Sequence, residues 1–297
     1  MTVWEQIGPY LGSAWLVLGV LAVVFGAVLA LANRFFSVVV DPRQEAIEEA
    51  LPKANCGACG YGGCAAYAEA VVLGKADANL CLPGGSETAV QIGRIMGLAV
   101  AGVTPKVAVV KCQGSFQNTS ERFRYVGERD CRAAAATQYG QTACPYGCLG
   151  FGTCVRACPF DAMVMDAETG LPRVLEDRCV ACGTCAEVCP KNIIEILPKE
   201  RYVHVLCRNQ DPGKVVRQVC KVGCIACHKC EKVCPVEGGA VHVTGNLAAV
   251  DMETCISCGK CAQECPVACI GNFRKLRRDA KKRNTPAGKD EPAEQAA

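Results

Sequence analysis

The sequence predicts an α+β chain: one apolar N-terminal helix, a small cysteine-rich domain, and then two tandem copies of a second cysteine-rich unit. Three observations predict it. Twenty of the 25 cysteines fall into five runs of short, recurring spacing. Residues 13–32 carry no charge. Behind the first run, β-prone segments and cysteine loops recur twice in the same order, which marks an internal repeat.

Four of the runs resemble the ferredoxin pattern, with a proline directly after the last cysteine. They are Cys144-x3-Cys148-x5-Cys154-x3-Cys158-Pro159, Cys179-x2-Cys182-x2-Cys185-x3-Cys189-Pro190, Cys224-x2-Cys227-x2-Cys230-x3-Cys234-Pro235 and Cys255-x2-Cys258-x2-Cys261-x3-Cys265-Pro266. The fifth is Cys56-x2-Cys59-x4-Cys64-x16-Cys81. A tight C-x2-C-x2-C-x3-C-P loop wraps three thiolates around one cubane and sends the fourth to its neighbour. Each proline turns the chain away after the last ligand. Zinc sites also use C-x2-C pairs, but usually join two such hairpins across a longer gap. A secreted disulfide scaffold is disfavoured by the odd cysteine count, by the cluster-type spacing and by a topology that puts the cysteines on the reducing side. Aromatic content is low, at 6%. Metal–thiolate crosslinks do here what a large apolar core does in an ordinary chain.

The apolar run SAWLVLGVLAVVFGAVLALA is the length a helix needs to cross the hydrocarbon core. Trp4, Tyr10 and Trp15 lie near one end, where aromatic belts form. Glu5 is the only charge before the run, whereas Arg34, Arg43 and Lys53 follow it. The positive-inside rule then puts the C-terminal side in the cytoplasm. Ala30-Leu31-Ala32 resembles a cleavage site, but the segment before the run has no Lys or Arg and the run is long for a signal peptide, so an uncleaved single-pass anchor is expected. Ala22, Gly26 and Ala30 form a small-residue stripe suited to close helix packing. With no charge inside it, this helix is not expected to carry ions by itself.

The expected divisions are an anchor (1–40), a single-cluster domain (41–105), a first ferredoxin-like unit (106–200), a second (201–272) and a basic tail (273–297). Residues 41–53 read as a short helix or linker. The stretch from Asn55 to Cys81 opens as a Gly-rich loop and turns helical over 65–73, so that the distant Cys81 closes a cluster site. Gly60, Gly62 and Ala65 fall at part of a dinucleotide fingerprint, but no strand precedes them and cysteines interleave. No Rossmann or flavin motif is found elsewhere. In the repeats, 106–111 (KVAVVK) and 202–206 (YVHVL) read as lead strands ending at Cys112 and Cys207. Hairpins turning at Gly170 and Gly245 separate the two loops of each unit.

The repeats differ at one place: Phe151 stands where the second unit has Cys227. Cys144 is the nearest spare cysteine. Two-cluster crossing then gives these expected ligand sets: Cys56, Cys59, Cys64 and Cys81; Cys144, Cys148, Cys154 and Cys189; Cys158, Cys179, Cys182 and Cys185; Cys224, Cys227, Cys230 and Cys265; Cys234, Cys255, Cys258 and Cys261. Of the five cysteines left over, Cys112, Cys131, Cys207 and Cys220 are candidates for a sixth [4Fe–4S] cluster where the units meet. Cys269 is expected to remain unligated. The competing reading is that the leftover cysteines are buried free thiols. No catalytic residue is expected. Of the three histidines, His204, His228 and His242, His228 lies inside a cluster loop and reads as an exposed loop residue. The tail from 274 to 297 has a net charge of 8 − 4 = +4. It reads as solvated low-complexity sequence, with lipid headgroups a minor alternative. No folded basic face accompanies it, so nucleic acid is not an expected partner.

A membrane helix, then N-C-G-A-C-G-Y-x-G-C, then paired ferredoxin loops including CPYGCLGFGTCVRACPFDAM, resembles the B subunit of Rnf-type ion-translocating electron-transport complexes in its long, cluster-rich form. The helix together with the Cys56–Cys81 domain makes the resemblance specific, and it covers all but the tail. It implies an electron-transfer subunit of the cytoplasmic membrane that takes electrons from reduced soluble ferredoxin and passes them to membrane subunits. It also implies that the complex reduces NAD⁺ and moves Na⁺ or H⁺, with flavin and nicotinamide sites on other subunits. A polyferredoxin of another membrane oxidoreductase, such as a hydrogenase, and a non-redox metal-binding scaffold are the alternatives.

Overall fold

The computed structural model describes residues 3–36, 41–100 and 102–274, with side chains from residue 15 onward. Helix α1 (Val3–Phe36) is longer than the uncharged run that predicts it. Its apolar part, Trp15–Phe36, is long and hydrophobic enough to cross a membrane, and none of it is buried against the other described residues. Trp15, Phe25 and Phe35 are all exposed. Exposed side chains of this size in a continuous helix need an apolar phase or partner to cover them.

Three helices build the next domain. Asp41 caps α2 (Pro42–Ala50) by accepting from the Arg43 N–H, and Pro42 stands in the first turn, where its missing N–H costs nothing. The helix expected at 65–73 is α3 (Cys64–Val72). Helix α4 (Gly85–Met96), which ends on left-handed Gly97, is additional to the expected elements. Its inward face of Thr88, Ala89, Ile92 and Gly93 is legible in retrospect as helical periodicity. Ile47, Leu51, Tyr67, Val71, Ala78 and Ile92 meet in one core that also takes in Cys81.

Each ferredoxin-like unit has the strands the sequence suggests plus one more. In the first, β1 (Lys106–Val110) pairs antiparallel with β4 (Ile194–Pro198), Val110 opposite Ile194. The hairpin is β2 (Met163–Met165) with β3 (Pro172–Val174). In the second, β5 (Val203–Val205) pairs with β8 (Ile270–Asn272), and β6 (Val241–Thr244) with β7 (Leu247–Val250). The closing strands β4 and β8 follow the last loop of their units. They return the chain to its start, so each unit is sealed by its own ends. Two short helices precede the first loops: α5 (Cys131–Ala136) and α8 (Gly213–Val219). The cores of the two units are built on Ala108, Met163, Ile193 and Ile194 in one and Val203, Val205, Val241 and Ile270 in the other, with cysteines completing both.

At Gly213 a Cβ would stand 2.5 Å from the Ile225 carbonyl oxygen, backbone that no rotamer change can move. Gly213→Ala should therefore destabilise the second unit by about 1–3 kcal/mol, typical of overpacking. It should also displace the loop between Cys224 and Cys227. A thermal melt and the iron content of the variant check this, and an unchanged melting temperature would refute it.

Candidate metal centres

Every ferredoxin-type loop uses the same backbone device. Counting the cysteine that opens the loop as the first residue, the third and fifth take positive φ: Gly150 and Gly152, Ala181 and Gly183, Ala226 and His228, Ser257 and Gly259. Left-handed residues alternating with ordinary ones turn successive N–H groups to one side and make a concave anion site. Each loop then enters a single helical turn: α6 (Thr153–Arg156), α7 (Thr184–Glu187), α9 (Lys229–Lys232) and α10 (Lys260–Gln263). His228 thus fills a left-handed position that is glycine in the other three loops. Its exposed ring meets the Glu231 carboxylate at 2.6 Å. His204 is buried in β5, with Nε2 2.9 Å from the Arg201 carbonyl oxygen.

These loops bring cysteines into sets. Cys56, Cys59, Cys64 and Cys81 line one cavity with Leu51 and Tyr67. Asn55 Oδ1 accepts from the Cys64 N–H at 2.8 Å and fixes the loop to the start of α3. Burial pushes the Tyr67 phenol up to about 12, so it stays a neutral donor, to the Asp77 carbonyl at 2.7 Å. Cys158, Cys179, Cys182 and Cys185 line a second cavity with Ala108, Met163 and Ile196. The Ala162 N–H donates to Cys158 Sγ and the Ala108 N–H to Cys179 Sγ. Cys224, Cys227, Cys230 and Cys265 line a third. Cys234, Cys255 and Cys258 all lie close enough to Cys261 to raise its pKa, after burial, to about 11. The Ala240 and Ser257 N–H groups donate to Cys234 and Cys255.

The first loop departs from the expected grouping. Cys148, Cys154 and Cys189 line their cavity with Cys131, not with Cys144. The reason is a local lock. Asp130 caps α5 and accepts from the Thr153 hydroxyl at 2.8 Å, while Thr153 Oγ1 accepts from the Cys131 N–H at 2.8 Å. This ties the first turn of α5 to the loop that lacks a cysteine at Phe151. Cys144 lines a different cavity, between the two units, with Cys112, Cys207 and Cys220; Cys148 lies in the wall between the two cavities and lines both. The cavities thus group Cys131 with the first loop and Cys144 with the junction, the reverse of the expected grouping.

Cys269 is buried beside the Cys224 set, its Sγ 3.8 Å from Cys265 Sγ. The closeness of the three thiols raises the pKa of Cys269 and lowers those of Cys224 and Cys265, to about 6 and about 5. Burial raises Cys154 to about 11 and Cys185 to about 12. Among the described residues no group of His, Cys, Asp or Glu is placed to hold a metal ion by itself. A cubane asks for something else: its four thiolates bind four different irons at the corners of a body several ångströms across. The residues present fit that demand, with separated thiols around shared cavities, N–H donors aimed at sulfur, and apolar walls.

The fold and these cysteine sets define a multi-cluster iron–sulfur protein of the ferredoxin class. Family profiles agree on its parts: "Putative Fe-S cluster" matches residues 51–83, and "4Fe-4S dicluster domain" matches 147–193 and again 218–266. The chain is 43% identical over 236 residues to the B subunit of the proton-translocating ferredoxin:NAD(+) oxidoreductase complex of Clostridium ljungdahlii, covering 79% of this chain and 82% of that protein. It is 42% identical to the B subunit of the ion-translocating oxidoreductase complex of Methanosarcina acetivorans, covering 80% and 89%. It is 45% identical over 204 residues to the B subunit of the Na(+)-translocating ferredoxin:NAD(+) oxidoreductase complex of Acetobacterium woodii, covering 69% of this chain but only 61% of that protein. The chain belongs to the B-subunit family of ion-translocating oxidoreductase complexes, and it is an electron-transfer subunit.

Proposed function

We propose that this protein accepts electrons from reduced ferredoxin and delivers them to membrane subunits of its complex, with its cluster domains on the cytoplasmic side of the membrane. One observation carries the reading: cysteines far apart in sequence gather into sets of four in three successive domains. The ligand sets are Cys56, Cys59, Cys64 and Cys81; Cys131, Cys148, Cys154 and Cys189; Cys158, Cys179, Cys182 and Cys185; Cys224, Cys227, Cys230 and Cys265; and Cys234, Cys255, Cys258 and Cys261. The domain bounds are 41–105, 106–200 and 201–272, supported by three apolar cores that share no residue. Residues 275–297, which hold most of the basic tail, lie outside the described structure. A relative named for Na⁺ and one named for protons are similarly close to this chain, 45% and 43% identical, which supports placing ion choice on other subunits.

A [4Fe–4S] cluster supplies one-electron exchange when bound, with a potential set by charge, burial and hydrogen bonds to sulfur. The chain's residues supply the rest. Thiolates hold each site rigidly, loop N–H groups offset negative charge, and apolar neighbours such as Met163 and Val243 exclude water. Full-length protein, isolated anaerobically in detergent, should be brown, bleach with dithionite and be reduced by a reduced ferredoxin in stopped-flow mixing. A colourless zinc protein would overturn the cluster assignment. A brown protein that reduced ferredoxin leaves oxidised would overturn the donor.

Cys269 provides a finer check. Its Sγ lies 3.8 Å from Cys265 Sγ; once Cys265 is a cluster-bound thiolate, which has no proton to give, the Cys269 S–H is the donor of that bond, and such a bond favours the more negative, reduced state of that cluster. Cys269→Ala should lower that midpoint by on the order of tens of mV, while Cys269→Ser, which keeps a donor, restores most of it. A mediated redox titration that shows identical midpoints in all three proteins would remove Cys269 from this role.

A further inference from the structure

We infer that Cys112, Cys144, Cys207 and Cys220 hold a sixth [4Fe–4S] cluster at the junction of the two ferredoxin-like units. The inference rests on the electron-relay reading and deepens it, because no dicluster match includes any of the four except Cys220.

The four cysteines obey the repeat. Cys112 and Cys207 follow β1 and β5, and Cys144 and Cys220 each stand four residues before the first cysteine of a loop. Each unit therefore contributes one cysteine of each kind to a shared cavity. The donors obey it too. Cys112 Sγ accepts from the Cys148 N–H and Cys207 Sγ from the Cys224 N–H, both at 3.4 Å. Cys112 Sγ also accepts the N–H of Gly114, two residues further on, at 3.4 Å. The loop cysteine Cys255 accepts in the same way from the Ser257 N–H at 3.3 Å. Buried Asn209 adds a side-chain donor to Cys144 Sγ at 3.4 Å.

Space and charge agree. About 430 Å³ of space, part of it open to solvent, surrounds these residues, of the same order as the 310–380 Å³ at the four loop cavities. No Asp or Glu lines it, whereas Lys111 and Arg208 do, which suits a cluster that is anionic once four thiolates bind it. The junction is held by its own bonds. Thr119 donates to the Val219 carbonyl at 2.8 Å, the Lys221 N–H to the Asn118 carbonyl at 2.9 Å, and Arg208 pairs with Glu195 at 2.6 Å. A thiol buried only as a small hydrophobe needs neither paired donors nor open space. On binding, each thiol gives up its proton to solvent as its sulfur bonds to iron. Since the backbones of the Cys148 and Cys224 loops donate directly to Cys112 and Cys207, a cluster here stands between one set in each unit and links them for single-electron exchange.

Iron counting on the full-length chain, reconstituted anaerobically with ferrous iron and sulfide, tests this. Wild type should hold about 24 irons, four for each of six cubanes, and Cys112→Ala with Cys207→Ala about 20. A double variant reports whether two cysteines share a cluster. Cys112→Ala with Cys144→Ala should lose about four irons, and Cys112→Ala with Cys131→Ala about eight. The electron paramagnetic resonance of the remaining clusters shows that the variants fold. A wild type near 20 irons, or zinc bound in place of iron at the junction, would overturn the sixth cluster and leave the relay standing. Losses of eight and four in the two double variants would overturn Cys144 as its ligand. A protein that takes up no iron would overturn the relay itself.

Discussion

Cys56→Ala should cost the protein about four irons and leave the spectrum of the ferredoxin-like units in place. The cysteine belongs to a domain whose core of Ile47, Tyr67, Val71 and Ile92 shares no residue with the other two cores. Within that domain the consequence should be severe. Three short helices of about this size bury too little apolar surface to be stable without a crosslink. Cys56 and Cys59 hold the glycine-rich loop, Cys64 opens α3, and Cys81 leads into α4. Without a complete ligand set those segments lose their common anchor. Limited proteolysis should then cut within residues 41–100 far faster than in wild type while residues 106–272 stay protected. Loss of every cluster in this variant would show that the domains depend on one another.

Deleting residues 1–36 should move the protein from the membrane fraction to the soluble fraction with its irons retained. Trp15–Phe36 has a mean hydropathy of 2.7 and is not buried against any of the described residues. Its Leu, Val and Phe side chains together favour insertion by roughly 5 kcal/mol, which is a few-thousand-fold change in partition. The same helix fixes orientation. In the intact protein a C-terminal reporter that works only in the cytoplasm should be active, because Arg34 and Arg43 follow the helix and only Glu5 precedes its apolar run. Activity of a periplasm-only reporter at that end would refute the topology, and a truncated protein that stays with the membrane would refute the anchor.

Much of this architecture is legible in the chain. The cluster loops are local: cysteines two or three residues apart can face one body only through a tight turn, so their spacing nearly dictates the left-handed positions found at Ala181 and Gly183 or Ser257 and Gly259. The hairpins at Gly170 and Gly245 are local for the same reason. What escapes a reading of the chain is non-local. Strands β4 and β8 are short, and they are strands because each pairs with a lead strand laid down well before it. His228 cannot be placed at a left-handed position without the other three loops for comparison.

The sequence by itself determined that the chain is a membrane-helix polyferredoxin, since runs of closely spaced thiols and an uncharged helix leave few alternatives. Which cysteine shares a cavity with the loop that has Phe151 depends on tertiary packing. Nearness in sequence favours Cys144, four residues from Cys148, over Cys131, which is 148 − 131 = 17 residues away. The fold selects the distant one, because the Asp130–Thr153–Cys131 lock pins α5 against that loop while Cys144 turns toward the second unit and Asn209. A linker of 17 residues can reach almost any point on a domain this small, so its length restricts nothing, and packing at its two ends makes the choice.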